Sequence, residues 1–381
     1  MKFSVLLPTR NGGKYLRDCI SSILEEPYED FELIVSDNAN TDGTQEIVRS
    51  FQADKRLKIL RLENAVGVTE NWNNTLNASC GDYILMMGDD DCLLPGYFKR
   101  MDEVLKKYDN PDCVTYNAYT YIAPEAINNK QSYYNKRHFN FGPDFKLEEL
   151  ISAKKRFSIV RDMYRFRVRI PLNMQTTLVA RKAAKQIPGG MFLPPFPDHY
   201  ALNALLLNTQ RWVYLPENML IVGVSPKSFG HFVYSNQQDK GLSYLGINAD
   251  FKGRLPGNEL LNHMHVWLGL LKTNYQDKLK NIKISRTNYV RRQVYHWYLQ
   301  FRSKSISFKE FNQRFHQLSP GDWIGLVGIV IDKESWVRFL RLVKSRRSSN
   351  IQKIMHGLSL LDNILSIRDF RDWVEKTQVK G

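Results

Sequence analysis

A chain of 381 residues is long enough for one large domain with an appendage, or for two domains. Its 43% apolar and 12% aromatic content exclude a disordered polymer. Four scattered cysteines, with no CxxC or Cys/His cluster, argue against a disulfide framework or a zinc site and for a reducing compartment. The formal charge of +15 sits almost wholly on the last third: residues 252–381 hold 24 Lys and Arg against 10 Asp and Glu, the remainder 30 against 29. Such asymmetry points to an anionic partner surface, phospholipid or nucleic acid.

In chain order, Phe3 to Leu7 is an apolar run cut short by Pro8, which reads as a first strand and not as a signal peptide. Leu16, Cys19, Ile20 and Ile23 have helical spacing. Phe31 to Ser36 is a second strand, and Asp42 with Gln45 three residues on predicts a capped helix through Phe51. A third strand follows at Leu57 to Leu62, a helix at Val68 to Ala78 and a fourth strand at Tyr83 to Met87. Then come a helix from Pro95 to Lys107 and a fifth strand from Cys113 to Tyr116. Strands alternating with short helices imply right-handed crossovers and a mainly parallel α/β sheet. Periodicity fades between Tyr121 and Arg169, and returns with strands near Thr176 to Ala180 and Trp212 to Leu215 and a helix from Tyr200 to Leu207. Residues 1–250 are therefore expected to form one catalytic domain and residues 251–381 a basic, mainly helical region. No run approaches the ~18 apolar residues that span a bilayer.

In a sheet of this kind ligands bind at the carboxyl ends of the strands. Pro8-Thr9-Arg10-Asn11, Asp37-Asn38, Asn64 and Asp89-Asp90-Asp91 all fall on that edge. Three consecutive carboxylates after a buried strand repel one another and lose hydration unless a positive group lies among them. A hard divalent cation, Mn²⁺ or Mg²⁺, shared with substrate phosphates would supply it; a solvated acidic turn is the competing account. No GxGxxG, Walker, GxSxG or HExxH pattern is present, which weakens dinucleotide, P-loop, serine-hydrolase and zinc-protease readings.

Pro8-Thr9-Arg10-Asn11, the Val35 to Thr44 segment, Gly81-Asp82-Tyr83 and Gly88-Asp89-Asp90-Asp91 together resemble glycosyltransferase family 2, of GT-A fold, over about residues 1–225. The resemblance implies inverting transfer of a sugar from a nucleotide diphosphate, UDP ahead of GDP or dTDP, to a hydroxyl of a glycan or lipid-linked acceptor. It places Pro8, Thr9, Arg10, Asn11 and Asp37 around the nucleotide, with Asn71 bordering the donor. It places the cation on Asp90, aided by Asp91, with Asp89 in donor binding; a literal Asp-x-Asp reading pairs Asp89 with Asp91 instead. Gly88 stands where the family has its first Asp, which leaves the ligand order open. Pro197-Asp198-His199 before a helix occupies the place of the family's base, so Asp198 is the candidate, with a plain helix cap as its bland alternative. His199, Lys227, Ser228 and His231 are candidates for a loop that closes on the diphosphate or the acceptor.

In the basic region, Trp323 to Ile331 is apolar but too short to span, and Ser335 to Arg347 mixes apolar and basic residues on one helix. Both fit a membrane interface, and equally a helical subdomain or a subunit contact. The expected location is cytoplasmic, peripheral on the inner face of the cytoplasmic membrane, in surface polysaccharide synthesis. Rival readings are a nucleotidyltransferase-like enzyme, opposed by the missing Gly-rich triphosphate loop, and a nucleic-acid-binding protein, opposed by the neutral front two thirds.

Overall fold

The computed structural model describes residues 3–127, 131–138, 147–166, 173–229, 232, 236–247, 256, 263–328, 332–344 and 358–378. The elements run β1 (Phe3–Thr9), α1 (Gly13–Leu24), β2 (Phe31–Asn38), α2 (Thr44–Arg49), β3 (Leu57–Leu62), α3 (Val68–Ala78), β4 (Tyr83–Met86), β5 (Cys92–Leu93), α4 (Tyr97–Lys107) and β6 (Cys113–Ile122). They continue β7 (Ser132–His138), β8 (Glu149–Leu150), α5 (Ala153–Tyr164), β9 (Thr177–Ala180), α6 (Arg181–Lys185), α7 (Pro197–Asn208), β10 (Trp212–Val224) and α8 (Gln238–Leu245). The basic region supplies α9 (Met264–Asn274), α10 (Gln276–Leu279), α11 (Arg286–Arg302), α12 (Phe308–Phe315), α13 (Pro320–Val327), α14 (Lys333–Lys344), β11 (Ser359–Leu361) and α15 (Ile367–Gln378).

One sheet organises the molecule, in the order β11-β7-β6-β9-β4-β1-β2-β3, with β10 running parallel along β6. The half β4-β1-β2-β3 is parallel throughout. Strands β1 and β4 are covered on both faces and so read as continuous apolar runs, whereas edge strand β3 is largely exposed. The predicted face of α1 is the buried one, Leu16, Cys19, Ile20 and Ile23. Beyond β4 the sheet turns mixed: β9 is antiparallel to both β4 and β6, and β7 to β6. A mainly parallel sheet thus holds for the first half only.

Several boundaries shift. The Cys113 strand runs on to Ile122, and the strand expected to end at Leu215 runs on to Val224, with register shifts around Asn218. The helix expected to be capped by Asp42 starts one residue later, from Gly43, with the Asp42 carboxylate accepting from the Thr44 amide at 3.1 Å.

The basic region lies against the sheet domain. Asn274 on α9 donates to the Tyr200 hydroxyl on α7 at 2.7 Å, and Trp267 packs beside His199. The chain then returns to the sheet: β11 pairs with β7, Phe370 on α15 is buried against Tyr121, and Arg368 and Arg371 both pair with Glu25, the residue that caps the end of α1.

Candidate active site

Parallel pairing in register carries Thr9 of β1 beside Asp37 of β2, and β4 runs along the other side of β1. Three of the polar clusters predicted to share an edge therefore do share it. The Thr9 hydroxyl donates to Asp89 Oδ2 at 2.6 Å. Asn11, in the left-handed region at φ 53°, donates its amide to Asn40 Oδ1, and its own Oδ1 accepts from the Thr41 amide. Arg10 reaches across to the Asn38 carbonyl at 2.9 Å. Asp37 is buried and accepts from the Asn40 amide at 2.8 Å. These bonds knit the loops after β1 and β2 into one rigid floor. Asn71 is part of the brace beneath it: its Oδ1 accepts from the Ser36 hydroxyl at 2.7 Å, fixing α3 to β2.

The three aspartates have different surroundings. Asp91 is buried, its Oδ2 accepting from the Gly88 amide at 2.7 Å and its Oδ1 from the Gly223 amide at 3.0 Å. Both of its oxygens therefore hold backbone, which sets it apart from the metal-binding part the sequence suggested. Asp90 is half-buried, and its Oδ2 accepts from the Ser228 hydroxyl at 3.1 Å. Asp89 is half-buried beside Thr9. Burial first, and the charge of Asp90 second, push the Asp89 carboxyl up to about 7 and that of Asp91 up to about 8; burial also raises Asp90. Carboxyls held that far above their ordinary range mark a place that positive charge would stabilise.

Part of that charge is already present. Lys227 Nζ stands 3.8 Å from Asp42 Oδ2, and it lowers Asp89 against the other influences. Ser225 helps hold the loop: its amide donates to the Ser228 hydroxyl oxygen at 3.0 Å, and its own hydroxyl oxygen accepts from the Lys227 amide at 3.3 Å. Gly223 permits the close approach of β10, since a Cβ there would lie 1.7 Å from the Asp90 carbonyl oxygen. A glycine inside the apolar run Ile221 to Val224 was the legible signal for such an approach.

Asp198 sits in the first turn of α7, with Phe196 at the cap position, so the carboxylate is not the cap. Its Oδ1 accepts from the His199 amide at 2.8 Å and lies 2.9 Å from His199 Nδ1. His199 is thereby turned onto Asp198, and its ring is flanked by Phe196 and Trp267. An aromatic chain connects this helix to the carboxylates: Phe196 contacts Phe229, next to Ser228, and Phe229 contacts Tyr244 on α8. Tyr244 is partly exposed, and its phenol is raised by desolvation and then by the charges of Asp198, Asp89 and Asp90, so both acidic groups act on it. Tyr15 borders Asp90 as well; burial, Glu125 and Asp90 raise its phenol to about 12. Neither tyrosine carried a sequence signal, since both lie in ordinary helical positions. His231 lies outside the described residues.

Among the described residues no group of three His, Cys, Asp or Glu side chains is arranged to hold a metal by itself. Asp90 and Asp89 nonetheless fit a divalent cation chemically: hard oxygen donors, partly accessible, and destabilised as anions where they stand. One or two carboxylates suffice where substrate phosphates supply further oxygens.

The model of the glycosyl transferase family 2 domain matches residues 4–163. These residues, less than half of the chain, are similar to glycosyltransferase family 2. Glycosyltransferase GlyG of Streptococcus pneumoniae is 32% identical over 148 residues, 39% of this chain and 46% of that protein. A Campylobacter jejuni GalNAc(5)-diNAcBac-PP-undecaprenol beta-1,3-glucosyltransferase is 37% identical over 97 residues, 25% of this chain and 31% of that one. TarS of Staphylococcus aureus, a poly(ribitol-phosphate) beta-N-acetylglucosaminyltransferase, is 35% identical over 94 residues, 24% of this chain and 16% of TarS. The chain thus spans less than half the length of these relatives.

Proposed function

We propose that this protein is a metal-dependent, inverting family 2 glycosyltransferase. Its donor would be a nucleotide-diphospho-sugar, with UDP as the first candidate, and its acceptor a hydroxyl of a glycan or lipid-linked saccharide in surface polysaccharide synthesis. The observation that carries the reading is the aromatic path Phe196–Phe229–Tyr244, which leads from the helix of Asp198 to the loop whose Ser228 donates to Asp90. The Campylobacter and Staphylococcus relatives, named for an undecaprenol-linked and a poly(ribitol-phosphate) acceptor, support the acceptor class.

In this reading the floor made by Pro8, Thr9, Arg10, Asn11 and Asp37 receives the nucleotide, where a carboxylate such as Asp37 accepts from the N3–H of uracil. Asp90, with Asp89, would hold Mn²⁺ or Mg²⁺, which when bound offsets charge growing on the departing diphosphate. Asp91 braces the loop, and Asn71 acts through Ser36. Asp198 takes the proton of the acceptor hydroxyl while the acceptor oxygen bonds to the anomeric carbon. The carbon–oxygen bond to the diphosphate breaks at the opposite face, its electron pair leaving on the diphosphate oxygen. Lys227 and Ser228, on the loop against Asp90, are placed to meet that charge. His199 orients Asp198.

The test is UDP release from a panel of UDP-sugars with saccharide acceptors. Asp198→Asn should lower turnover by about 10²–10⁴, the usual worth of a general base, with the affinity for UDP kept. Wild-type rates in Asp198→Asn would remove Asp198 from the mechanism. Wild-type protein that turns over no UDP-, GDP- or dTDP-sugar and binds no nucleotide would overturn the transferase reading.

A further inference from the structure

Helix α13 is inverted with respect to water. It buries only Asp322, whereas Trp323, Ile324 and Val327 are 48%, 75% and 74% exposed. The inversion is fixed by polar contacts on the inner side. Ser319 and Asp322 form a capping box, the Asp322 carboxylate accepts two bonds of 2.8 Å from Arg286, and Arg291 donates twice to the Gly325 carbonyl. Helix α14 shows the same bias. Trp336, Phe339, Leu340 and Val343, spaced i, i+3, i+4, i+7, form one apolar stripe that elsewhere in a protein faces a core, yet each is between 45% and 54% exposed. Of seventeen exposed large apolar side chains among the described residues, nine lie between Phe308 and Val343. They are concentrated on three successive helices rather than scattered along the chain.

Charge decides what covers it. From residue 333 to 347 the sequence has six Lys and Arg and one acid, Glu334. A second copy would bring the same cations against these, and a nucleic acid would leave the apolar stripe wet. An anionic bilayer surface satisfies both: phosphate headgroups meet the cations while Trp and aliphatic side chains enter the headgroup boundary. Neither helix is long enough to cross, and no helix among the described residues is long and apolar enough to do so.

We propose that α13 and α14 form a docking face for an anionic phospholipid surface, lying in its plane. Docking of this kind is independent of the transferase chemistry. The test uses the full chain and sedimentation with vesicles of phosphatidylglycerol mixed with phosphatidylcholine, and of phosphatidylcholine alone. Wild-type protein should sediment with the anionic vesicles and far less with the neutral ones, and high salt should release it. Ile324→Glu and Leu340→Glu alter exposed positions, so their melting temperature and nucleotide binding should match wild type while vesicle partitioning falls about tenfold or more. Equal partitioning of wild type and variants, or no binding to anionic vesicles, would overturn the proposal. So would a solution dimer that the same two variants dissociate, since the stripe would then cover a second copy.

Discussion

At the scale of single residues, three adjacent aspartates are given three tasks by their hydrogen bonds. Asp91 holds two backbone amides, one of them 132 positions away on Gly223. Asp91→Asn would turn an NH₂ group toward a backbone N–H, leaving one buried donor unmet. The expected cost is about 1–3 kcal/mol of folding stability, read by denaturant unfolding, with metal binding lost only as far as the loop loosens. Asp90→Asn should do the reverse, keeping the melting temperature but abolishing the effect of Mn²⁺ on nucleotide affinity. Gly223→Ala places a methyl group where the Asp90 carbonyl stands. It should both destabilise the protein and weaken nucleotide binding, and a variant with wild-type melting and binding would contradict the packing described.

At the scale of elements, the Asp322–Arg286 pair that pins α13 to α11 gives a pH-dependent prediction. The bonds from Arg286 and the Ser319 amide hold the Asp322 carboxyl down to about 2. A carboxyl lowered in the folded state adds stability above its ordinary pKa, near 3.8, and loses it as pH falls toward 2. Asp322→Asn should cost about 1.5–3 kcal/mol at neutral pH and progressively less below pH ~4; an equal difference at pH ~3 and pH 7 would exclude the ionised pair as the cause. The elements also show what a sequence displays. The first four strands and α1 were legible because short apolar runs bounded by turn residues and a 3.6-residue period report burial directly. Strand β9 was legible as a strand near Thr176 to Ala180, but its antiparallel pairing to β4 and β6 was not, nor was strand β7, because such pairing is chosen by partners far away in the chain. The bend in β10 was invisible for the same reason.

At the scale of the molecule, the charge asymmetry read from composition gains a physical setting: neutral sheet domain, basic helices laid against it, and a C-terminal strand and helix that return to the sheet. The site edge followed from the alternation of strands and helices, and Asp37, Asp89 to Asp91, Lys227 and Ser228 were placed there by motif. The separate tasks of the three aspartates were not legible, because they depend on Gly223 and Ser228 folding back over them. Tyr15 and Tyr244 escaped notice because an aromatic residue on a helix reads as core until its neighbours are known. The direct test of the whole account is calorimetric titration of UDP into the wild-type protein and Asp90→Asn, each with Mn²⁺ and with excess EDTA. The account predicts UDP binding by wild type that weakens at least ~tenfold in EDTA, about 1.4 kcal/mol, and weak binding indifferent to metal in Asp90→Asn. Tight UDP binding that neither EDTA nor Asp90→Asn alters would contradict it.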